Sequence, residues 1–361
     1  MTGPNIALLL GTSDGGVGAH VRVLARRLVE SGAAVVVYGP VATEERFDFT
    51  GTGAGFAAVR VSQGPRPLAD RAAVAAFRAS AIGADLVHAH GLRAGFIAVR
   101  AAPAGVPVVV TWHNAVLATG LARRIYAVIE KRIATGAALN LAVSSDLVAR
   151  IRELGGIAEL APVGSTRRTP TRSVQSVRSE LAAGERPIVL SVGRLHPQKG
   201  LDTLVDAAVA LKSRRPVPLF VVAGEGPQRA DLERRIAAGA APVQLLGRRD
   251  DVPDLLAAAD VVAMPSRWEG SPLAAHEALL AARPLVAAAV GGIPDLASDG
   301  AIKLVPPGDP HALASAIALL LEDPVAAREL AARGLRRAQD WPDSEASADA
   351  AIERYASLLG S

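Results

Sequence analysis

Glu269 and Glu277 stand eight positions apart in the stretch SRWEGSPLAAHEALLAARPLVA, residues 266–287, with alanine and leucine crowding around them. A carboxylate among apolar neighbours is costly unless something pairs with it. Either both glutamates are solvated on a capped surface helix, or both hold a ligand. Ser271 suits an N-cap and Pro272 the first helical position, so the spacing predicts a helix starting just after Glu269. The free N–H groups and dipole of such a helix start form an anion site suited to phosphate. Carboxylates are poor partners for phosphate but good acceptors for hydroxyls, such as those of a sugar and a ribose on either side of a diphosphate. Gly270, Ser271 and Leu273 would present the backbone at that helix start.

A second candidate is SVGRLHPQKGLDTLVDAA, residues 191–208. A strand ends at Gly193, Arg194 and Lys199 bracket a short loop, and Gly200 opens a helix. Two cations before a helix N-terminus make a diphosphate clamp; the alternative is a solvated loop. Lysine is rare here, only Lys131, Lys199, Lys212 and Lys303, and a compact ammonium fits where a guanidinium does not. GTSDGGVGAHV, residues 11–21, follows the first strand, and Gly15, Gly16 and Gly18 would let backbone approach an anion. It lacks the spacing of a dinucleotide fingerprint or a P-loop. GTGAGFAA, residues 51–58, contains G-x-G-x-x-A without a strong preceding strand and is read as a decoy. In VQLLGRRDD a base could lie against Gly247 and Arg248. His88 and His90 alternate on one strand and His113 ends the next. They read as hydrogen-bonded structural residues or, less readily, as a zinc site.

Composition narrows the class. A chain of 361 residues, half of them apolar, favours two domains of roughly 100–200 residues each. No cysteine is present, so disulfides and thiolate metal sites are excluded, which fits a reducing cytoplasm. No apolar run reaches the ~18 residues of a membrane span. MTGPNIALLLG reads as a first strand rather than a signal peptide. The net charge is +4 with an isoelectric point near 9.8, which suits an anionic ligand or membrane surface. No basic cluster is interleaved with aromatics, as nucleic-acid binding would require. Residues 121–134 carry Arg123, Arg124, Lys131 and Arg132 beside Leu121, Ile125, Val128 and Ile129. That is a basic amphipathic helix, able to lie on an anionic membrane or to pack on the core with a solvated basic face.

These residues need a scaffold. NIALLL, AVVVYG, AAVRV, DLVHAH, VPVVVTWH and LNLAVS in the first half, and PIVLSVG, PLFVVAG, VQLLG, VVAMP, PLVAAA and IKLVP in the second, are near-continuous apolar runs with helical patterns between them. Strands of that kind are buried on both faces, as in parallel sheets. The alternation predicts an α/β protein of two tandem doubly wound sheets. Residues 161–187 break it with Pro, Gly, Ser, Thr and Arg and read as a linker with one short helix. The expected domains are 1–165 and 166–340. The last segment, 341–361, is a helix with Ala348, Ile352, Tyr355 and Leu359 on one face, able to close the second domain or pack on the first.

In order and spacing these motifs resemble the family 4 glycosyltransferases, retaining enzymes of the GT-B fold that use nucleotide-sugar donors. The resemblance covers nearly the whole chain and is strongest from SVGRLHPQKGLDTLVDA through EGSPLAAHEALLAARPLVAAAVGGIPDLASDG to LVPPGDPHALASAI. It implies two Rossmann-like domains facing across a cleft, acceptor on the first and donor on the second, with the last helix crossing back. It further implies Glu269 on the donor sugar, Glu277 on the ribose, Arg194 and Lys199 on the diphosphate, Gly16 near the same phosphates, and His113 near the anomeric centre. Neither metal nor other cofactor is implied, the nucleotide sugar being substrate. Three departures stand out. Glu269-Gly270-Ser271-Pro272-Leu273 replaces Glu-Gly-Phe-Gly-Leu. His276 replaces an aliphatic. VGST at 163–166 replaces Asn-Gly-Val-Asp. Alternatives are a sugar-nucleotide epimerase of the same fold, a non-catalytic nucleotide-sugar-binding protein and, more distantly, a dinucleotide oxidoreductase.

Overall fold

The computed structural model describes residues 3–13 and 15–360; Asp14 of the glycine-rich loop therefore lies outside the described residues. The chain divides into two units, Met1–Val163 with Pro342–Ser361, and Gly164–Trp341.

Unit 1 holds strands β1 (Asn5–Leu10), β2 (Ala34–Gly39), β3 (Gly55–Ala58), β4 (Leu86–His90), β5 (Val108–Trp112), β6 (Leu139–Ala142) and β7 (Ala158–Leu160). They form one sheet in the order β3-β2-β1-β4-β5-β6-β7, parallel throughout. Unit 2 holds β8 (Ile188–Val192), β9 (Leu219–Ala223), β10 (Val243–Gly247), β11 (Val261–Met264), β12 (Leu285–Ala288) and β13 (Lys303–Val305). Their order is β10-β9-β8-β11-β12-β13, again parallel.

The apolar runs become strands because both faces are covered. In β8, Val189 packs with Leu204, Phe220 and Ile317, while its neighbours Ile188 and Leu190 pack with Leu255, Leu279 and Leu285 on the other face. In unit 1 the helix Gly16–Glu30 lays Val21, Leu24, Ala25 and Leu28 on the sheet. The final helix, Ser344–Leu359, belongs to the same core through Ala348, Ala351 and Tyr355. Arg26–Glu345 at 2.5 Å and Arg27–Asp349 at 2.7 Å run along its edge. Those ion pairs are half exposed and contribute little; the apolar seam holds the helix.

Two details differ from the sequence reading. The third strand is Gly55–Ala58 rather than AAVRV at 57–61, so the tail of GTGAGFAA is itself an edge strand. β7 was not anticipated: it has three residues, two of them exposed, too short for a periodic signal. The linker does contain a short helix, Val174–Glu180.

In both sheets the chain reverses winding between two strands distant in sequence, β1 and β4 in unit 1, β8 and β11 in unit 2. Ligands of open parallel sheets sit at the carboxyl ends of strands at such switch points. In unit 2 the two loops leaving that point are 193–200 and 265–272, both singled out above.

Candidate active site

The loop after β8 is tied down at several points. Gly193 N–H donates to Ala223 O at 3.0 Å and Leu195 N–H to Glu225 O at 2.8 Å. Gly200 has φ +60 and lies so close to the next loop that a Cβ there would come 2.1 Å from Pro265 O. From this loop Lys199 reaches Glu269, its Nζ 2.7 Å from Oε1 and 3.0 Å from Oε2. Ser266 Oγ donates to Glu269 Oε1 at 2.5 Å. Glu269 is 5% exposed, and these partners offset the cost of burying its polar oxygens. Gln198 amide donates to Trp268 O at 3.0 Å, and Arg267 pairs with Asp202 at 2.7 Å. From the β12 side Gly292 N–H donates to Glu269 O at 3.0 Å. Arg194 is exposed on the same loop as Lys199.

The helix after Glu269 begins one residue later than its sequence predicts. It spans Leu273–Leu280 with Pro272 as N-cap and no side-chain cap. Ser271 O accepts from Leu273 N–H at 2.9 Å. Gly270 is buried beside Glu269. Glu277, on this helix, accepts a hydrogen bond from Ser165 Oγ at 3.2 Å. Burial pushes its carboxyl above the usual range, against the pull of Ser165 and Arg168. Glu277 also lines a cavity of about 230 Å³ with Arg167, Arg168, Val252, Leu256 and Leu280. Gly247 ends β10, and its carbonyl accepts from Gly224 N–H at 2.8 Å, next to Gly193 of the loop after β8. Gly247, with φ +77, backs onto Glu225, and exposed Arg248 faces Asp250 at 3.5 Å.

In unit 1, Gly16 opens the helix Gly16–Glu30 behind N-cap Gly15. Ser13 Oγ accepts from Gly18 N–H at 2.9 Å, and a Cβ on Gly18 would strike the Phe47 ring at 2.2 Å. That glycine serves packing. The adjacency of β4 and β5 brings His88, His90 and His113 together, with His20 from the first helix as a fourth ring. His90 Nδ1 lies 3.3 Å from His113 Nε2. His88 has both nitrogens engaged, Nδ1 with Tyr355 Oη and Nε2 with Thr111 Oγ1 at 2.7 Å. A zinc site through His88 is thereby corrected: no ring nitrogen of His88 is left for a metal. Among the described residues no group of three or more His, Cys, Asp or Glu is arranged to hold one. Burial holds His20 down at about 4 and His113 at about 3, and His88 and His90 well below the usual imidazole range. All four rings are therefore neutral at pH 7.

Sequence reasoning missed Ser266, Ser165, Gln198 and Gly291. Each acts by holding a neighbour, and a lone serine, glutamine or glycine in a loop carries no spacing signal.

Two parallel, doubly wound sheets of seven and six strands are the architecture of the GT-B class. The chain matches the family described as glycosyl transferases group 1 over residues 186–323, and the glycosyl transferase 4-like domain over residues 15–164. It is 32% identical over 402 residues to a D-inositol 3-phosphate glycosyltransferase of Kineococcus radiotolerans, covering 96% of this chain and 91% of that protein. It is 34% identical to the alpha-D-kanosaminyltransferase of Streptomyces kanamyceticus over half of this chain, spanning 47% of that relative. The Anabaena protein HepE, crystallised with UDP, superposes with a TM-score of 0.81 at 22% identity, covering 98% of this chain and 100% of that one. Sucrose-phosphate synthase from Thermosynechococcus elongatus gives 0.80 at 26%, covering 99% of each. The chain belongs to the group 1, family-4-like glycosyltransferases and has their GT-B fold.

Proposed function

We propose that the protein moves a hexose-type sugar from a nucleoside-diphosphate sugar to a hydroxyl of a glycan, lipid or small molecule, with retention at the anomeric carbon. The observation that carries this is the Lys199–Glu269 pair at the carboxyl ends of β8 and β11, with Glu277 on the helix that follows. Lys199 and Arg194 take the diphosphate, Glu269 the hydroxyls of the sugar, and Glu277 the ribose. The backbone of Gly270, Ser271 and Leu273 faces the same donor. As the bond from the anomeric carbon to the diphosphate oxygen breaks, the two cations stabilise the negative charge that develops. The bond to the acceptor oxygen forms, and the acceptor proton passes to the departing phosphate. The relative HepE has been crystallised with UDP-glucose, whereas another relative is a GDP-mannose-dependent mannosyltransferase, so both donor types belong in the test.

The expected result is that one of the UDP-, GDP- or ADP-sugars raises the melting temperature, since a ligand that binds only the native state stabilises it. The product should keep the donor's anomeric configuration by NMR. An inverted product, or donor isomerised without acceptor, would overturn the reading; tight donor binding with no transfer would favour a non-catalytic binding protein.

A basic face in unit 1 supports a cytoplasmic enzyme working at the inner membrane surface. In the helix Gly120–Gly136, Ile129 and Ile133 are buried. Leu121 (73% exposed), Ile125 (46%) and Val128 (67%) face outward, beside exposed Arg124, Lys131 and Arg132. The apolar residues grouped on one side in the sequence reading are thus split between core and solvent. Sedimentation with vesicles containing anionic phosphatidylglycerol, and not with neutral phosphatidylcholine alone, is the expected outcome; equal recovery with both removes the membrane from the proposal.

A further inference from the structure

The two departures from the family pattern around the second glutamate, His276 and the loop 163–166, meet in space. His276 is 2% exposed on the helix Leu273–Leu280. An aliphatic side chain would fill that position without desolvating two ring nitrogens. Here both nitrogens are engaged. Ser165 backbone N–H reaches Nδ1 at 2.9 Å, and Nε2 lies 2.9 Å from Ala338 O. A backbone N–H only donates and a carbonyl only accepts, so the ring is the tautomer protonated at Nε2. Ala338 O belongs to the last turn of the helix Pro324–Asp340, where carbonyls lack intrahelical partners. One imidazole therefore caps one helix and pins a loop that has no secondary structure of its own. The residue it pins, Ser165, is 9% exposed, and its hydroxyl donates to Glu277 Oε1.

We infer that His276 is a positioning residue for the ribose carboxylate: through Ser165 it sets the rotamer of Glu277. The inference rests on Glu277 binding the ribose. Without the ring the loop amide loses its acceptor, Ser165 Oγ loses its fixed position, and a carboxylate on a largely buried helix face can turn away from the ribose hydroxyls. The effect falls on donor affinity through those hydroxyls and leaves the diphosphate contacts of Lys199 untouched.

Two substitutions separate positioning from packing. In His276→Asn the side-chain oxygen replaces Nδ1 and keeps the bond to Ser165. In His276→Gln the amide replaces Nε2 and keeps the bond to Ala338. Each loses one hydrogen bond, so their melting temperatures should fall alike. The readout is the dissociation constant of uridine, guanosine and adenosine 5′-diphosphates, each against its 2′,3′-dideoxy analogue. Wild type should prefer the ribonucleotide of its cognate base by about tenfold or more. His276→Asn should keep that preference, whereas His276→Gln should lose most of it. Ser165→Ala, which removes one hydroxyl and leaves the helix cap intact, should lose it as well and serves if the histidine variants fold poorly. A preference that survives both His276→Gln and Ser165→Ala overturns the inference while leaving the ribose reading standing. A wild type that binds both analogues equally overturns both, and does so before any variant is made.

Discussion

An ammonium has three N–H directions, and Glu269 takes up two of those of Lys199. The pair engages both oxygens of a carboxylate that is 5% exposed and leaves the lysine partly open to solvent, 21% by its side chain. Removing one partner of such a pair strands the other. Lys199→Ala is therefore expected to lower stability by on the order of 3 kcal/mol, since Glu269 then loses its cationic partner and keeps the neutral Ser266 hydroxyl. Turnover at saturating donor should fall by about 10²–10³-fold or more, the scale of losing one donor to developing charge. Adding Glu269→Gln removes the stranded charge, so the double variant should regain most of the lost stability in a denaturant titration and none of the turnover. Near-normal turnover in Lys199→Ala would reject the role of Lys199 in charge stabilisation.

The elements matter through how closely their loops approach. Gly291, with φ +52, sits so near the Glu269 segment that a Cβ would come 1.8 Å from Glu269 O. Only glycine tolerates both that backbone and that contact. Gly291→Ala should cost about 1–3 kcal/mol through strain and displace the Glu269 loop, raising the donor KM; an unchanged KM would show that this loop does not position donor contacts. Other element properties were readable from local chemistry. The helix Gly16–Glu30 buries the face its 3.6-residue period announces, and the short apolar runs became parallel strands. The start of the helix after Glu269 was displaced by one residue, with Pro272 rather than Ser271 at the N-cap. Propensity specifies that a cap occurs there, and the chain's path decides which residue serves.

At the scale of the molecule, unit 1 keeps four imidazoles neutral within its fold. In the unfolded chain each takes a proton near pH 6.5, while His20 and His113 in the native state resist until about 4 and 3. The unfolded chain thus binds more protons in that window, and stability falls as pH drops. The contribution is whole above pH 6.5. It should decline by about 2 kcal/mol per such histidine between pH 6.5 and pH 5, where most carboxylates remain ionised. Urea titrations across that range should show it, and His113→Gln should flatten the slope; a midpoint constant over the range would contradict the burial of these rings. The acid response was not legible beforehand. His88, His90 and His113 were visible as strand-end residues, but His20, on a helix, joins them only through packing. The same division runs through the whole protein. Composition, apolar periodicity and motif order determined an α/β chain with two parallel sheets and the residue types of its candidate site, because burial on both faces and turn chemistry are local constraints. Only the tertiary structure decided that β8 lies beside β11, which brings Lys199 to Glu269 across 70 residues, and that Ser165, His276 and Glu277 share one small network. Strand order and loop contacts arise from hydrogen bonding and packing between segments far apart in the chain, and no window of sequence contains both partners.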